Sequence, residues 1–242
     1  MSLTSNAPLS ALNDFPSPEL SLLNQEQQAP RIHPCQAHLS TITESLAERG
    51  YVVINQALPI SLARALQQRV LALKANDALA EAGIGRGDDH QQVRAVRQDK
   101  IHWLDRQHAA EQGWASAMEK LRLMLNRELM MGLFSYESHF AHYAPGQAYQ
   151  THRDAFRGQQ NRLVSTVLYL IEEWSATDGG ELVLYNDDGQ RLERVLPAFN
   201  RLVVFLSEEF PHEVRPGHRD RHSIAGWFRV NGSRAHRVDP PR

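Results

Sequence analysis

Two histidines and an aspartate in the C-terminal half of the chain have the spacing of metal ligands. His152 and Asp154 are separated by one residue, and on an extended strand alternate residues point to the same face. A His-x-Asp pair is common by chance, so a site would need a third ligand. His212, at the start of another predicted strand, is the candidate. The sequence therefore predicts a metal site made of His152, Asp154 and His212.

The chemistry of such a site depends on the coordination positions that the protein leaves open. Two histidines and one carboxylate on one side of a metal form the facial triad of non-haem Fe(II) sites. A 2-oxo acid can fill two of the open positions and O2 the third, so that no other redox group is needed. If the 2-oxo acid is 2-oxoglutarate, its far carboxylate needs a paired cation, and Arg221 is the candidate.

Arg221 begins the last predicted strand, in Arg221-His-Ser-Ile-Ala-Gly-Trp-Phe. By alternation, one strand face carries Arg221, Ser223, Ala225 and Trp227. This face would line one side of a pocket with a cation, two small residues and an aromatic wall.

Together, these segments resemble the catalytic core of the 2-oxoglutarate- and Fe(II)-dependent dioxygenases, within the prolyl 4-hydroxylase family that includes the oxygen-sensing hydroxylases. The matching segments are Tyr143-Ala-Pro-Gly146, Tyr149-Gln-Thr-His152-Arg-Asp154, Val167-Leu-Tyr169-Leu, Gly179-Gly180-Glu-Leu182, and His212-Glu-Val-Arg-Pro with Arg221. Upstream, residues 97–103 resemble the stretch that leads into the substrate-covering loop of the oxygen-sensing enzymes. The resemblance covers roughly residues 80–230 and agrees in order, spacing and residue type.

The resemblance implies a double-stranded β-helix, or jelly roll, with His152, Asp154 and His212 on iron. Fe(II) is the implied cofactor, 2-oxoglutarate and O2 the cosubstrates, and L-ascorbate a candidate additional cofactor. A carboxylate at the second ligand position implies hydroxylation, because related halogenases have a small residue there. The implied roles of the other residues are 2-oxoglutarate binding by Arg221 and Tyr169, pocket lining nearer the metal by Tyr143, a pocket wall at Trp227, and support from behind by Arg162.

The elements that must position these residues form an α+β pattern, a helical half followed by short strands. Helical spacing predicts three helices, over residues 37–49, 59–82 and 114–131. Short β-rich runs separated by turn signals predict strands at 51–54, 100–104, 134–143, 164–171, 181–185, 201–206 and 223–230. We predict an irregular N-terminal arm (1–34), one oxygenase domain (35–230) with helical support to 131 and a jelly-roll core from 132, and a C-terminal tail (231–242).

The spacing of the other histidines does not indicate a second metal site. His139 and His142 are three apart on a predicted strand, so they face opposite sides. His218 and His222 have helical spacing, yet Pro216 and Gly217 precede them and a strand follows.

The amino-acid composition limits the class of protein and its possible partners. The 242 residues are 42% hydrophobic and 22% charged, which is enough apolar material for a sizeable core. A net charge of −2 gives no global attraction to nucleic acid or to an anionic membrane, and no run is long and apolar enough to span one. A single cysteine excludes an intramolecular disulfide, and we expect a cytoplasmic protein.

Three hypotheses for the function remain open at this point. The first is a peptidyl-proline hydroxylase whose polar segment at residues 83–95 covers a protein substrate; from the resemblance, elongation factor Tu is a candidate. The second is the same chemistry on a small molecule or another side chain, because the iron site encodes the reaction and the covering segment the substrate. The third is a jelly-roll module that binds metal without turnover.

Overall fold

The structure, a computed structural model, describes residues 34–82, 97–155 and 161–232. These residues form three α-helices, α1 (Pro34–Arg49), α2 (Ile60–Ala75) and α3 (Ala109–Leu129). The eleven strands are β1 (Tyr51–Ile54), β2 (Ala80–Glu81), β3 (Lys100–Trp103), β4 (Ser135–Tyr143), β5 (Tyr149–His152), β6 (Arg162–Tyr169), β7 (Leu182–Tyr185), β8 (Arg191–Val195), β9 (Leu202–Leu206), β10 (His212–Val214) and β11 (Arg221–Arg229).

The strands form two antiparallel sheets. The larger has seven strands in the order β1-β9-β6-β11-β4-β3-β2, and the smaller has four in the order β5-β10-β7-β8. Long β11 lies at the centre of the larger sheet, between β4 and β6. Two facing sheets with helices packed on the larger one confirm the predicted α+β jelly-roll architecture.

Two apolar clusters hold these layers together. The larger joins the helices to the seven-stranded sheet and includes Leu66, Trp114, Leu125, Phe140 and Phe228. The smaller joins side chains of both sheets, among them Leu182, Leu184, Val203, Phe205 and Phe210. Helices therefore cover one face of the larger sheet, while the other face is left for the smaller sheet and the predicted site.

The first helix begins three residues before the predicted position 37, and two other helix boundaries differ by more. The prediction that the second helix continues to about residue 82 is wrong: α2 ends at Ala75, Asp77 takes a left-handed φ of +50°, and Ala80 pairs with Ile101 of β3. The third helix begins before the predicted Trp114, at Ala109, because the His108 ring caps it by accepting a hydrogen bond from the Ala110 N–H at 3.2 Å. Histidine is not among the usual N-cap residues, so this start has no sequence signature.

The seven strand ranges predicted above are all present with shifts of one or two residues, and β5 and β10 are the strands on which His152 and His212 were expected. Strands β2 and β8 were not predicted. The division into arm, domain and tail stays a prediction, since residues 1–33 and 233–242 lie outside the described residues. The predicted covering segment at 83–95 also lies outside the described residues. Within the described ranges, no helix is long and apolar enough to cross a membrane.

Candidate active site

The structure brings the three predicted metal ligands together at one end of the space between the sheets. His152 is the last residue of β5, and His212, the first residue of β10, lies directly opposite it in register. Asp154 lies beyond the end of β5, so the prediction that it shares a strand with His152 is wrong. One ligand atom from each residue nevertheless lies within 4.8 Å of the others, and this is the one such group among the described residues.

Hydrogen bonds fix the tautomers of both histidines. The His152 Nδ1–H donates to the Gln150 carbonyl at 2.8 Å, and the His212 Nδ1–H donates to the Phe210 carbonyl at 3.0 Å. Because a carbonyl only accepts, each ring must carry its proton on Nδ1. Both Nε2 lone pairs then face Asp154, at 3.6 Å from Oδ1 and Oδ2 respectively. Histidine ligands in metal sites are oriented by the same kind of backbone contact.

The protonation states also suit metal binding. Burial opposes ionisation of Asp154, yet the neighbouring His212 and His152 hold the pKa of its carboxyl well below the usual range. Burial lowers the pKa of His212 to about 4. The Ser165 hydroxyl donates to Asp154 Oδ2 at 2.6 Å and orients the carboxylate. At neutral pH the group is thus an ionised carboxylate with a neutral buried imidazole, the form that coordinates a divalent ion.

The inner end of the pocket contains unsatisfied polar atoms. Arg221 and Tyr169 are 3% and 0% exposed, and Arg221 Nε and the Tyr169 hydroxyl find no hydrogen-bond partner among the described residues. The Arg221 guanidinium lies over the Tyr143 ring, 4.2 Å from its centroid, and 5.7 Å from that of Tyr169. Among the described residues, the one hydrogen bond of the Arg221 guanidinium is long, 3.5 Å from Nη1 to the Gly180 carbonyl oxygen. A buried cation with so little hydrogen bonding, beside a buried hydroxyl without an acceptor, is costly unless a ligand supplies acceptors. The far carboxylate of 2-oxoglutarate fits both.

The strand face predicted from alternation on β11 does line this pocket. Arg221, Ser223, Ala225 and Trp227 all contribute to its wall, together with Tyr143 of β4 and Tyr169 of β6. Trp227 is backed by Arg162, whose guanidinium lies 3.7 Å from the indole centroid and is paired with Glu137 at 2.8 Å.

A glycine pair in the turn before β7 allows close packing beside Arg221. Gly179 has a φ of +68°, and a Cβ there would lie 2.7 Å from the Pro216 carbonyl oxygen. Gly180 has a φ of +72°, and its Cβ would lie 3.0 Å from the Trp174 ring and 3.6 Å from Arg221 Cδ. A side chain at either position would displace the loop against which Arg221 packs.

The pocket lining also includes residues that the sequence analysis did not assign to it, and three of them, Arg97, Asp99 and His139, contact one another. Arg97 donates to both carboxylate oxygens of Asp99, at 2.7 and 2.9 Å, and lies 3.2 Å from His139 Nε2. Burial, and then the charge of Arg97, lower the pKa of His139 to about 3. Alternation along β4 from Tyr143 could have placed His139 in the pocket, whereas the Arg97 contact is visible only in three dimensions.

His142 and His222 lie on the opposite, helix-facing side of the larger sheet. Their rings stack with centroids 5.0 Å apart, and His142 Nε2 lies 2.6 Å from Asp220 Oδ1, which also pairs with Lys74 at 3.0 Å. His218 is exposed and His222 is buried. Within the described ranges, none of the four histidines His139, His142, His218 and His222 belongs to a group of three potential metal ligands.

Comparison with known proteins agrees with this geometry. A family model described as the 2OG-Fe(II) oxygenase superfamily matches residues 138–229. A crystal structure of a Pseudomonas putida prolyl-4-hydroxylase is 39% identical, covers 80% of this chain and 100% of its own, and superposes with a TM-score of 0.73. A Trichoplax adhaerens prolyl hydroxylase, solved with a hypoxia inducible factor peptide, is 26% identical over 81% of this chain and 90% of its own, with a TM-score of 0.72. Mouse prolyl hydroxylase EGLN3 is 25% identical over 78% of this chain and 82% of its own length.

Proposed function

The chain belongs to the 2OG-Fe(II) oxygenase superfamily, as an enzyme of the prolyl 4-hydroxylase type that uses Fe(II), 2-oxoglutarate and O2, and we propose that its substrate is a proline residue in a protein. One observation carries the proposal for the site: a His-Asp-His cluster lines the same pocket as a buried arginine and a buried tyrosine, and Arg221 Nε and the Tyr169 hydroxyl have no hydrogen-bond partner among the described residues. The cluster fits the metal and the inner end fits the cosubstrate.

We assign His152, Asp154 and His212 to the iron, with Nε2 of each histidine and the carboxylate as ligand atoms. Arg221 and the Tyr169 hydroxyl would bind the far carboxylate of 2-oxoglutarate, and Tyr143 and Trp227 would line the pocket. When bound, iron and 2-oxoglutarate supply the oxidising power to insert one oxygen atom of O2 into a substrate C–H bond, as 2-oxoglutarate is converted to succinate and CO2.

The surrounding protein residues orient the candidate metal ligands and limit the access of water. Ser165 keeps the Asp154 carboxylate in place, and the two backbone carbonyls keep both imidazoles oriented. The buried walls at Tyr143, Tyr169 and Trp227 limit water in the pocket, so that oxidation is directed to the substrate.

The finer parts of the proposal rest on resemblance. The Trichoplax enzyme was solved with a peptide, which supports a protein substrate here. Elongation factor Tu is our candidate substrate and L-ascorbate our candidate additional cofactor. The proposed compartment is the cytoplasm, supported by the single cysteine.

The first test needs no substrate. Fe(II) and then 2-oxoglutarate are added to the metal-free protein without oxygen, and the visible metal-to-ligand charge-transfer band is recorded for the wild type and for Asp154→Ala. We expect a band in the wild type that is lost in the variant. No band from correctly folded wild-type protein would refute the site assignment and favour a binding module without turnover.

The second test addresses the substrate. Proline-containing peptides and purified elongation factor Tu are incubated with the loaded enzyme with and without ascorbate, and mass spectrometry locates any added oxygen atom. We expect oxygen on proline. If the charge-transfer band forms but no proline is oxidised, the chemistry stands and a small molecule or another side chain becomes the favoured substrate.

A further inference from the structure

The candidate ligand Asp154 is held differently from the two histidines. His152 and His212 lie on paired strands of the smaller sheet, and each ring donates to a backbone carbonyl. Asp154 lies beyond the end of β5, so its backbone is not fixed by strand pairing. Its carboxylate is held from the larger sheet instead, where Ser165 of β6 donates to Oδ2 at 2.6 Å. The position of the third candidate ligand therefore depends on a side chain of the opposite sheet.

A second buried serine lies behind Ser165. Ser207 follows β9, the strand that pairs with β6, and its N–H extends this pairing by donating to the Leu163 carbonyl at 2.9 Å. The hydroxyl oxygens of Ser165 and Ser207 are 2.8 Å apart, and the two residues are 1% and 0% exposed. We call these two residues the serine pair. Buried hydroxyl groups need partners within the protein, so this contact is part of a closed network.

The direction of the hydrogen bonds follows from the number of protons. A serine hydroxyl has one proton to donate, whereas an ionised carboxylate can only accept. Ser165 donates its proton to Asp154, so Ser207 must be the donor within the serine pair. The chain of hydrogen bonds thus runs from Ser207 to Ser165 and on to Asp154 Oδ2. In a buried chain of this kind each bond polarises and strengthens the next one.

The serine pair connects the metal ligands to the part of the larger sheet that carries the cosubstrate site. By alternation along β6, Ser165 lies on the same strand face as Val167 and Tyr169, and both of these residues line the pocket. Arg221 begins β11, which pairs with β6. The bond from Ser165 to Asp154 therefore joins the ligand set to the sheet that holds Arg221 and Tyr169.

We propose that Ser207 is a positioning residue of the iron site, which acts through Ser165 to fix Asp154 Oδ2 and to leave Oδ1 as the ligand atom. The inference rests on the proposed function, because it requires a metal at His152, Asp154 and His212. It assigns a role in metal binding to a residue that is one hydrogen bond removed from the candidate ligand.

The test compares Ser165→Ala, Ser207→Ala and the double variant with the wild type. Anaerobic equilibrium dialysis gives the Kd for Fe(II), and Co(II) is used as a second probe because its visible spectrum depends on coordination geometry. We expect the Kd to rise about 10- to 100-fold in Ser165→Ala. In Ser207→Ala we expect a rise of about 2- to 10-fold, which corresponds to the net contribution of one neutral hydrogen bond, together with a changed Co(II) spectrum.

The matched control is Ser138→Ala. Ser138 is also buried and its hydroxyl accepts from Trp114 Nε1 at 3.2 Å, but this contact is made with α3 on the helix-facing side of the larger sheet. Ser138→Ala should lower the urea midpoint of the metal-free protein and keep the wild-type metal Kd and Co(II) spectrum. If Ser207→Ala behaves in the same way, its role is merely structural and the inference is overturned.

The double variant tests whether Ser207 acts through Ser165. If it does, Ser207→Ala should have no further effect on the metal Kd when residue 165 is already alanine, whereas independent effects would add. Additive effects would overturn the inference. A wild type that binds neither Fe(II) nor Co(II) would reject the proposed function as well. A wild type that binds Fe(II) and forms the charge-transfer band, with an unchanged metal Kd in Ser207→Ala, would reject the positioning role alone.

Discussion

The unpaired hydroxyl of Tyr169 allows a sharp test of the cosubstrate site, because its removal should affect binding and stability in opposite directions. Tyr169→Phe deletes one oxygen atom that is fully buried and whose O–H has no acceptor among the described residues, since the neighbouring Arg221 can only donate. Burial raises the pKa of this phenol, so it is a neutral donor at any working pH. A donor held without an acceptor in the free protein should gain one only when the carboxylate of 2-oxoglutarate is bound.

The magnitude follows from these two states. A hydrogen bond to a charged group contributes about 1.5–3 kcal/mol, and each 1.4 kcal/mol corresponds to about tenfold in affinity. The Kd for 2-oxoglutarate should therefore rise roughly 10- to 150-fold in Tyr169→Phe. The protein without cosubstrate should be as stable as the wild type, or up to about 1–3 kcal/mol more stable, because a buried unsatisfied polar group is removed.

The assay is an anaerobic titration of the Fe(II) protein with 2-oxoglutarate, followed by the charge-transfer band, with urea unfolding of the metal-free protein in parallel. Tyr136→Phe is the matched control, since its hydroxyl lies 2.8 Å from Thr166 Oγ1 on the helix side of the sheet. It should lose about 1 kcal/mol of stability and keep its 2-oxoglutarate affinity. An unchanged Kd in Tyr169→Phe, or a destabilised protein, would refute the reasoning.

Three further substitutions test other parts of the structure. Arg221→Ala should weaken 2-oxoglutarate binding more than about a hundredfold while Fe(II) binding survives; loss of Fe(II) binding, measured by equilibrium dialysis, would contradict the pocket assignment. His222→Phe tests burial: because burial lowers the folded-state pKa of His222 from 6.5 to about 4, the unfolded chain binds more protons between these pH values, and stability falls by about 3 kcal/mol as pH decreases through this window. His222→Phe should therefore lose less stability than the wild type when urea midpoints at neutral and acidic pH are compared. The same pH dependence in both proteins would contradict the assigned role of His222. Gly226→Ala would place a Cβ 2.1 Å from the Tyr136 hydroxyl oxygen and should cost about 1–3 kcal/mol or more; a wild-type urea midpoint would show that the sheet can open there.

The sequence alone determined those features that depend on local geometry. Alternation along a strand needs no knowledge of its partners, and it correctly placed Arg221, Ser223 and Trp227 on one pocket wall. The helical period likewise located the three helices. The candidate metal ligands His152, Asp154 and His212 could be named because their residue types and order, together with the surrounding motifs, leave few alternatives.

Only the tertiary structure decided how distant segments meet. Asp154 lies off its predicted strand, and it reaches the histidines because β10 pairs with β5 so that His212 lies opposite His152. The early end of α2 reflects pairing of Ala80 with Ile101, a contact that overrides helical periodicity. The contact of the buried Arg97–Asp99 pair with His139 joins separate segments of the chain. Local patterns fix which face a side chain takes, whereas cavities, registers and buried charges depend on long-range packing that no single segment encodes.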